Sequence, residues 1–207
     1  MPYPVVTEPT WKPERTALCW LAVETTHPAP DKGVILEIGG CFTGWDLDPI
    51  TWAQWIIRPP IDSWLDHLSV ERRLVYEQNG LVDAVGRLPS IGASKDSGRY
   101  IADVNSELDQ WAVRSIGQQL VPIIAGGHSG LMLRWLERYC WRLAARVHPV
   151  TLDTFGATHW GIHQAGRPDP CPDEPDGRVI PTVYRHLTTF RDACGMQPTA
   201  YPTTVSG

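Results

Sequence analysis

Glu24 closes an apolar run, Leu18-Cys19-Trp20-Leu21-Ala22-Val23, and is followed by Thr25, Thr26 and a proline-bounded loop. A carboxylate carried out of a buried strand into a loop is a common way to present a metal ligand; an ordinary hairpin with a solvated glutamate has the same pattern. His128 stands in Gly126-Gly127-His128-Ser129-Gly130, where an imidazole serves either a phosphate or the turn itself. His186 and Asp192 lie six apart near the end of the chain. His159 and His163 are four apart and share a helical face, which suits a metal, but no third ligand stands at a sensible spacing. The five cysteines, Cys19, Cys41, Cys140, Cys171 and Cys194, are odd in number and lack zinc-finger spacing, so they read as reduced thiols of a cytoplasmic protein.

The elements that must position these side chains follow from periodicity. Strands are expected at 17–23, 34–42, 52–57, 121–125 and 148–152. An irregular helical region is expected over 61–92, and residues 91–99 form a small-residue loop. A helix capped by Asn105 or Ser106 places Leu108, Trp111, Ala112, Ser115, Ile116 and Gln119 on one stripe. Another helix follows Ser129 to about Val147, and a last one, opened by Pro181, covers 182–194. Between them, 166–177 is a loop of prolines and acids. The expected organisation is an extended arm over 1–16 carrying Trp11, one domain over 17–194, and a tail over 195–207 that is unstructured or packs as an arm.

The chain has 207 residues, long enough for one well-cored domain, with 43% hydrophobic and 20% charged residues. Its net charge of −5 excludes broad electrostatic capture of duplex DNA, but leaves room for a local pocket around a short strand. No apolar run is long enough to span a bilayer and no secretory signal pattern opens the sequence, so neither a membrane nor export is expected. Ten tryptophans are many; Trp45, Trp52, Trp55 and Trp64 cluster as core, stacking surface or partner interface.

Three stretches, in order, resemble the DEDD 3′–5′ exonucleases of the DEDDh type, and most closely their oligoribonuclease branch. Ala22-Val23-Glu24-Thr25-Thr26 with Ile35-Leu36-Glu37-Ile38-Gly39 is similar to the first exonuclease motif, whose Asp-x-Glu has Ala22 at the aspartate. Gly127-His128-Ser129 with Trp135-Leu136 resembles the second, where Met132 holds the aspartate position and the spacer is one residue short. His186 to Asp192 resembles the third, with an interval of six rather than five. Tyr76-Glu77-Gln78-Asn79-Gly80-Leu81 is similar to a further oligoribonuclease segment, with Tyr76 and Asn79 at its His and Ser positions, and Leu152-Asp153 resembles that family's Leu-Asp.

The resemblance implies a ribonuclease-H-like α/β fold: a mixed central sheet flanked by helices. It also implies the chemistry of paired Mg²⁺ or Mn²⁺ ions ~3.5–4 Å apart, held by four carboxylates, with a histidine as general base. Carried over residue by residue, Glu24 and Asp192 are the metal ligands, His186 is the base, and Ala22 and Met132 are degenerate ligand positions. Thr25, Gly80, Leu81, His128 and Ser129 are the implied substrate contacts, and Asp153 caps the next helix. A methyl group and a thioether do not serve Mg²⁺, so any metal is held weakly or not at all.

The first reading is therefore a catalytically impaired exonuclease-fold protein that binds a nucleotide, a short RNA 3′ end or a protein partner in the former active-site cleft. A second is an active metal-dependent exoribonuclease, with Ala22 an inactivating substitution or with Glu37 or Asp153 compensating. A third is an interaction protein using a tryptophan-rich surface. The branch resembled also implies a homodimer.

Overall fold

The computed structural model describes residues 13–89, 100–154, 177–197 and 199–207. Residues 1–12, the 91–99 loop, the His159–His163 pair, Cys171 and residues 166–176 of the proline-acid loop lie outside them. The elements are β1 (Thr16–Thr25), β2 (Ile35–Thr43), β3 (Pro49–Ile56), α1 (Val70–Gln78), α2 (Leu81–Gly86), α3 (Ile101–Ile116), β4 (Val121–Gly126), α4 (Ser129–Tyr139), α5 (Trp141–Ala144), β5 (Leu152–Asp153) and α6 (Val179–Ala193). They build one five-stranded mixed sheet of order β3-β2-β1-β4-β5. β1, β2 and β3 run antiparallel in a meander, and β4 and β5 add parallel to β1.

Both faces of the sheet are covered, which explains the near-continuous apolar run of β1. Ala17, Cys19 and Leu21 point into one core with Val104, Leu108 and Trp111 of α3 and Trp135 and Leu136 of α4. Leu18, Trp20 and Ala22 point into the other, with Val179, Ile180, Val183 and Leu187 of α6. Glu24 continues the second alternation, so it emerges on the α6 side. A smaller core of Leu36, Trp64, Tyr76, Leu81 and Val85 seats α1 and α2 at the end of the sheet where β1 finishes.

The first and third strands run longer than expected, at Thr16–Thr25 and Pro49–Ile56, and four further boundaries differ from the sequence expectation. The fifth strand is only Leu152–Asp153; His148 is tied to the sheet by its N–H to the Pro122 carbonyl (2.8 Å), outside the ladder. α3 begins at Ile101, so Asn105 lies inside it, and its Oδ1 accepts the Arg142 N–H (3.1 Å) at the start of α5 instead. The helix after Ser129 does not run unbroken to Val147, because Cys140 (φ −127°, ψ 49°) leaves helical geometry. α6 starts at Val179, with Pro181 in its first turn, where a missing N–H costs no helical bond.

Trp52, Trp55 and Trp64 are buried, as are Trp20, Trp111 and Trp135, while Trp45 and Trp141 are exposed. Three of the four early tryptophans are therefore core and only Trp45 is exposed, which weakens the interaction-surface reading. The tail docks on the β3 edge. The Gln54 N–H donates to the Ser206 carbonyl (2.8 Å) and the Ser206 N–H to the Trp52 carbonyl (3.0 Å), while Tyr201 packs edge-on against Tyr184. No helix among the described residues is long and apolar enough to cross a membrane.

Candidate functional site

The β1–β2 ladder sets Glu24 directly opposite Glu37. Two carboxylates so placed repel, and each needs its own compensation. Glu37 is fully buried and receives it in full: Arg178 donates through Nε (2.9 and 3.0 Å) and Nη2 (2.6 Å), the Val179 N–H donates at 3.2 Å, and Gln54 Nε2 donates to the same carboxylate. The carboxylate thereby caps the N-terminus of α6, whose own Ncap residue, Arg178, supplies no side-chain cap. Glu37 is an anchor, and the idea that it stands in for a lost metal ligand fails because its oxygens are already engaged.

Glu24 is served differently. Its Oε2 accepts the Tyr76 hydroxyl at 2.8 Å. The same phenol oxygen accepts the Thr25 N–H (3.2 Å), and Arg72 Nη1 donates to the Thr25 carbonyl (3.2 Å). Removal from water pushes the Glu24 carboxyl up to about 7; the Tyr76 hydrogen bond pulls it down, the Glu37 charge adds to the rise, and Arg72 and Arg178 oppose it. α1 holds Tyr76 and Arg72 because Ser69 caps it, accepting the Arg72 N–H at 3.3 Å. Together Glu24, Ser69, Glu71, Arg72, Val75, Tyr76 and Gly177 line a cleft of about 380 Å³.

His186 lies on α6, on the same side of the sheet as Ala22 and Glu24, over the end of β4. Its Nδ1 accepts the Gly127 N–H at 3.2 Å, so the neutral ring carries its proton on Nε2. Burial lowers its pKa to about 4, with the charges of Arg185 and His128 adding to the fall and Asp153 opposing it. The ring needs Gly127: a Cβ there would stand 2.9 Å from its Cε1.

The remaining residues scatter. Ala22 is a core residue, and Met132 packs half-buried against the α3–α4 core. Asp192 is exposed near the C-terminus of α6. That helix starts at Glu37 and runs about 20 Å to this point, since each residue rises 1.5 Å. Its neighbour Arg191 donates to the Leu47 carbonyl (2.6 Å) and to Asp48 (2.8 Å), in the connection beyond the far end of β2. The expected pairing of Glu24 with Asp192 about one metal site is therefore not formed.

Thr25 turns its hydroxyl to the His27 carbonyl (2.9 Å). Leu81 is fully buried in the small core, so its side chain has no surface for a base; Asn79 Oδ1 accepts its N–H (3.0 Å) across the left-handed Gly80. His128, also left-handed, precedes the buried Ser129 at the start of α4, and Asp153 is exposed at the end of β5.

A pair of Mg²⁺ or Mn²⁺ ions does not fit these residues. Among the described residues, no three His, Cys, Asp or Glu side chains converge into a group able to hold an ion. Glu24 is bound to a phenol and set between guanidinium groups, and the acid facing it, Glu37, is itself held by Arg178 and the α6 N-terminus. This surround is not legible in the sequence: Tyr76 stands there only as a departure from a motif, and Arg72 and Arg178 carry no signal at all. The one available hint was the pair Glu24 and Glu37, and it is the β1–β2 register, with its irregularity at Glu24/Thr25, that sets them face to face.

No family model and no curated protein sequence matches the chain. Solved structures do. The chain superposes on an apo Exonuclease I with a TM-score of 0.52 at 11% identity, covering 89% of this chain and 43% of that one. On E. coli Exonuclease I in complex with a dA13 oligonucleotide the values are 0.53, 12%, 88% and 41%. On the Mg²⁺- and Mn²⁺-bound form of S. pombe Pop2p they are 0.55, 11%, 86% and 83%. The chain thus spans less than half the length of the Exonuclease I structures. The fold is the ribonuclease-H-like fold of exonucleases.

Proposed function

We propose that this chain is a binding protein on an exonuclease-type fold, and that its cleft receives a nucleotide or the 3′ end of a short single-stranded RNA without ordinary metal-dependent hydrolysis. The observation that carries the proposal is the surround of Glu24. The one metal-ligand carboxylate kept at the first motif is tied to Tyr76 and faces Glu37 with Arg72 and Arg178 beside it, while Ala22 and Met132 present no oxygen and Asp192 lies at the other end of α6. Such a cleft suits recognition. Arg72 and Ser69 can donate to a phosphate, a Glu24 carboxyl near its midpoint at neutral pH can accept from or donate to ribose hydroxyls, and Val75 gives an apolar wall. That E. coli Exonuclease I, of the same fold, has been crystallised with an oligonucleotide supports the class of ligand.

The test is a labelled diribonucleotide and pentaribonucleotide incubated with the protein, with and without Mn²⁺, scored for binding by anisotropy and for cleavage by electrophoresis. Binding with cleavage at background is expected, as is little recovery from Ala22→Asp, because the Met132 and Asp192 positions still supply no converging oxygen. Robust Mn²⁺-dependent trimming by the unaltered chain would replace this reading with that of an active exoribonuclease. Absence of nucleotide binding would leave the cleft to a protein partner.

A further inference from the structure

A second surface, outside the cleft, carries the opposite charge to the molecule as a whole. α4 ends at Cys140, and the chain turns there into α5. Arg134 and Arg138 stand one helical turn apart on exposed positions of α4, and Trp141 and Arg142 open α5 on exposed positions too. Buried Cys140 and Leu143 and the Asn105 cap on the Arg142 N–H hold the corner rigidly. Trp141 is 59% exposed, far more than a core tryptophan. The Arg142 guanidinium carbon lies 5.4 Å from the Trp141 ring centre, and that of Arg138 lies 5.3 Å from the Tyr139 ring centre.

Position makes the corner more than a solvated turn. The Tyr139 hydroxyl donates to the Gly33 carbonyl, in the loop joining β1 to β2. That loop is closed on Thr26, two residues past Glu24, by the Thr26–Val34 hydrogen bonds. The corner is thereby held at the end of the sheet where Glu24 emerges, with exposed Lys32 beside Gly33. Among the described residues none of Lys32, Arg134, Arg138 and Arg142 has a carboxylate partner, whereas Arg146 is paired with Asp109. The acids nearby in sequence are Asp31 and Glu137.

We infer that this corner is a contact surface for single-stranded nucleic acid, with Lys32, Arg138 and Arg142 on phosphates and Trp141 stacking a base. The chemistry selects that partner. Exposed indole beside guanidinium groups is what base stacking and backbone contact require together. A duplex would meet the repulsion of a chain of net charge −5 outside this patch, and an anionic membrane calls for a denser basic cluster without an interposed glutamate. The inference goes beyond the cleft reading and does not rest on it.

The test measures anisotropy of a fluorescein-labelled uridine dodecanucleotide and of a uridine dinucleotide across a salt series. The parent is compared with Arg138→Ala/Arg142→Ala, Trp141→Ala, Trp141→Phe and the cleft variant Tyr76→Phe, each checked for folding by circular dichroism. Loss of two phosphate contacts should lower the slope of log K against log salt by about 1.4 for a single strand. Trp141→Ala should weaken the long probe about tenfold, with Trp141→Phe close to the parent. Dinucleotide binding should respond to Tyr76→Phe and ignore the corner variants. Equal affinity of parent and corner variants for the long probe overturns the inference, as do failure of the parent to bind it, a phenylalanine variant as weak as alanine, and equal displacement by polyglutamate. Loss confined to the dinucleotide in Tyr76→Phe would refute nothing at the corner, so the two readings fail separately.

Discussion

Glu24 stands two residues beyond a methyl group and keeps a proton to about pH 7 because burial and the Glu37 charge disfavour its anion, outweighing the help of Tyr76, Arg72 and Arg178. Its folded pKa lies above the ordinary value of 4.5, so the folded state holds more protons than the unfolded one between these limits. Stability from this group is complete below 4.5 and is lost as pH rises through about 7. Glu24→Gln stays neutral throughout, and its melting temperature relative to the parent should climb across that window; a constant gap would show the carboxyl is not desolvated. His186 has the reverse sign. Its pKa falls from 6.5 to about 4, so its contribution is present above 6.5 and disappears as pH drops through about 4. Heteronuclear NMR should find it neutral, with the proton on Nε2, at pH 6. Tyr76→Phe removes the hydroxyl bound to Glu24 and should cost about 1–3 kcal/mol in chemical denaturation, the penalty of an unmet buried acceptor, and push the Glu24 carboxyl still higher.

Among the elements, α6 has the most distant anchor. Its first N–H and its Ncap side chain both bind Glu37, which lies on β2 more than a hundred positions earlier, and no local cap substitutes. Glu37→Ala would strand the Arg178 guanidinium and should destabilise by about 3–5 kcal/mol, with Glu37→Gln milder because hydrogen bonding survives the loss of charge. Equal stability of the alanine variant and the parent would mean α6 is held by its apolar face alone. α1 is more self-sufficient. Ser69 caps it and Arg73–Glu77 bridges it one turn on, although that exposed pair contributes little. At the end of β4, Gly127→Ala should displace the His186 ring, visible as loss of its Gly127 N–H partner, with little change elsewhere.

At the scale of the whole molecule, a single sheet separates two apolar cores and leaves the β3 edge to be covered by the tail. Ser206 pairs with Ala53 in a parallel bridge, and its Oγ donates to the Trp52 carbonyl at 2.8 Å. Deleting residues 203–207 would bare the edge hydrogen-bonding groups of β3, and unpaired edges invite other chains. The truncated protein should melt lower and show concentration-dependent association in light scattering. A monodisperse truncation with an unchanged melt would make the tail a passive arm.

The architecture was legible in the sequence where burial repeats locally. The run from Leu18 to Val23, its partner from Ile35, and the stripe Leu108–Trp111–Ala112 each carry their own period, and their order is enough to reach a mixed α/β sheet. Glu24 was likewise readable as a carboxylate at a strand end. What the sequence could not contain is where α6 starts and which way its one carboxylate, Asp192, faces. Its frame is set by Glu37, Arg178 and the Val179 N–H, a contact closed across 141 residues, and that frame leaves His186 over Gly127 while carrying Asp192 to the far end of the sheet. The Tyr76–Glu24 bond, across 52 residues, is of the same kind. Local periodicity reports which face of an element is apolar, because each side chain's exposure follows from its own backbone geometry. Which polar groups meet at a site depends on how separate elements dock, and only the tertiary structure decides that.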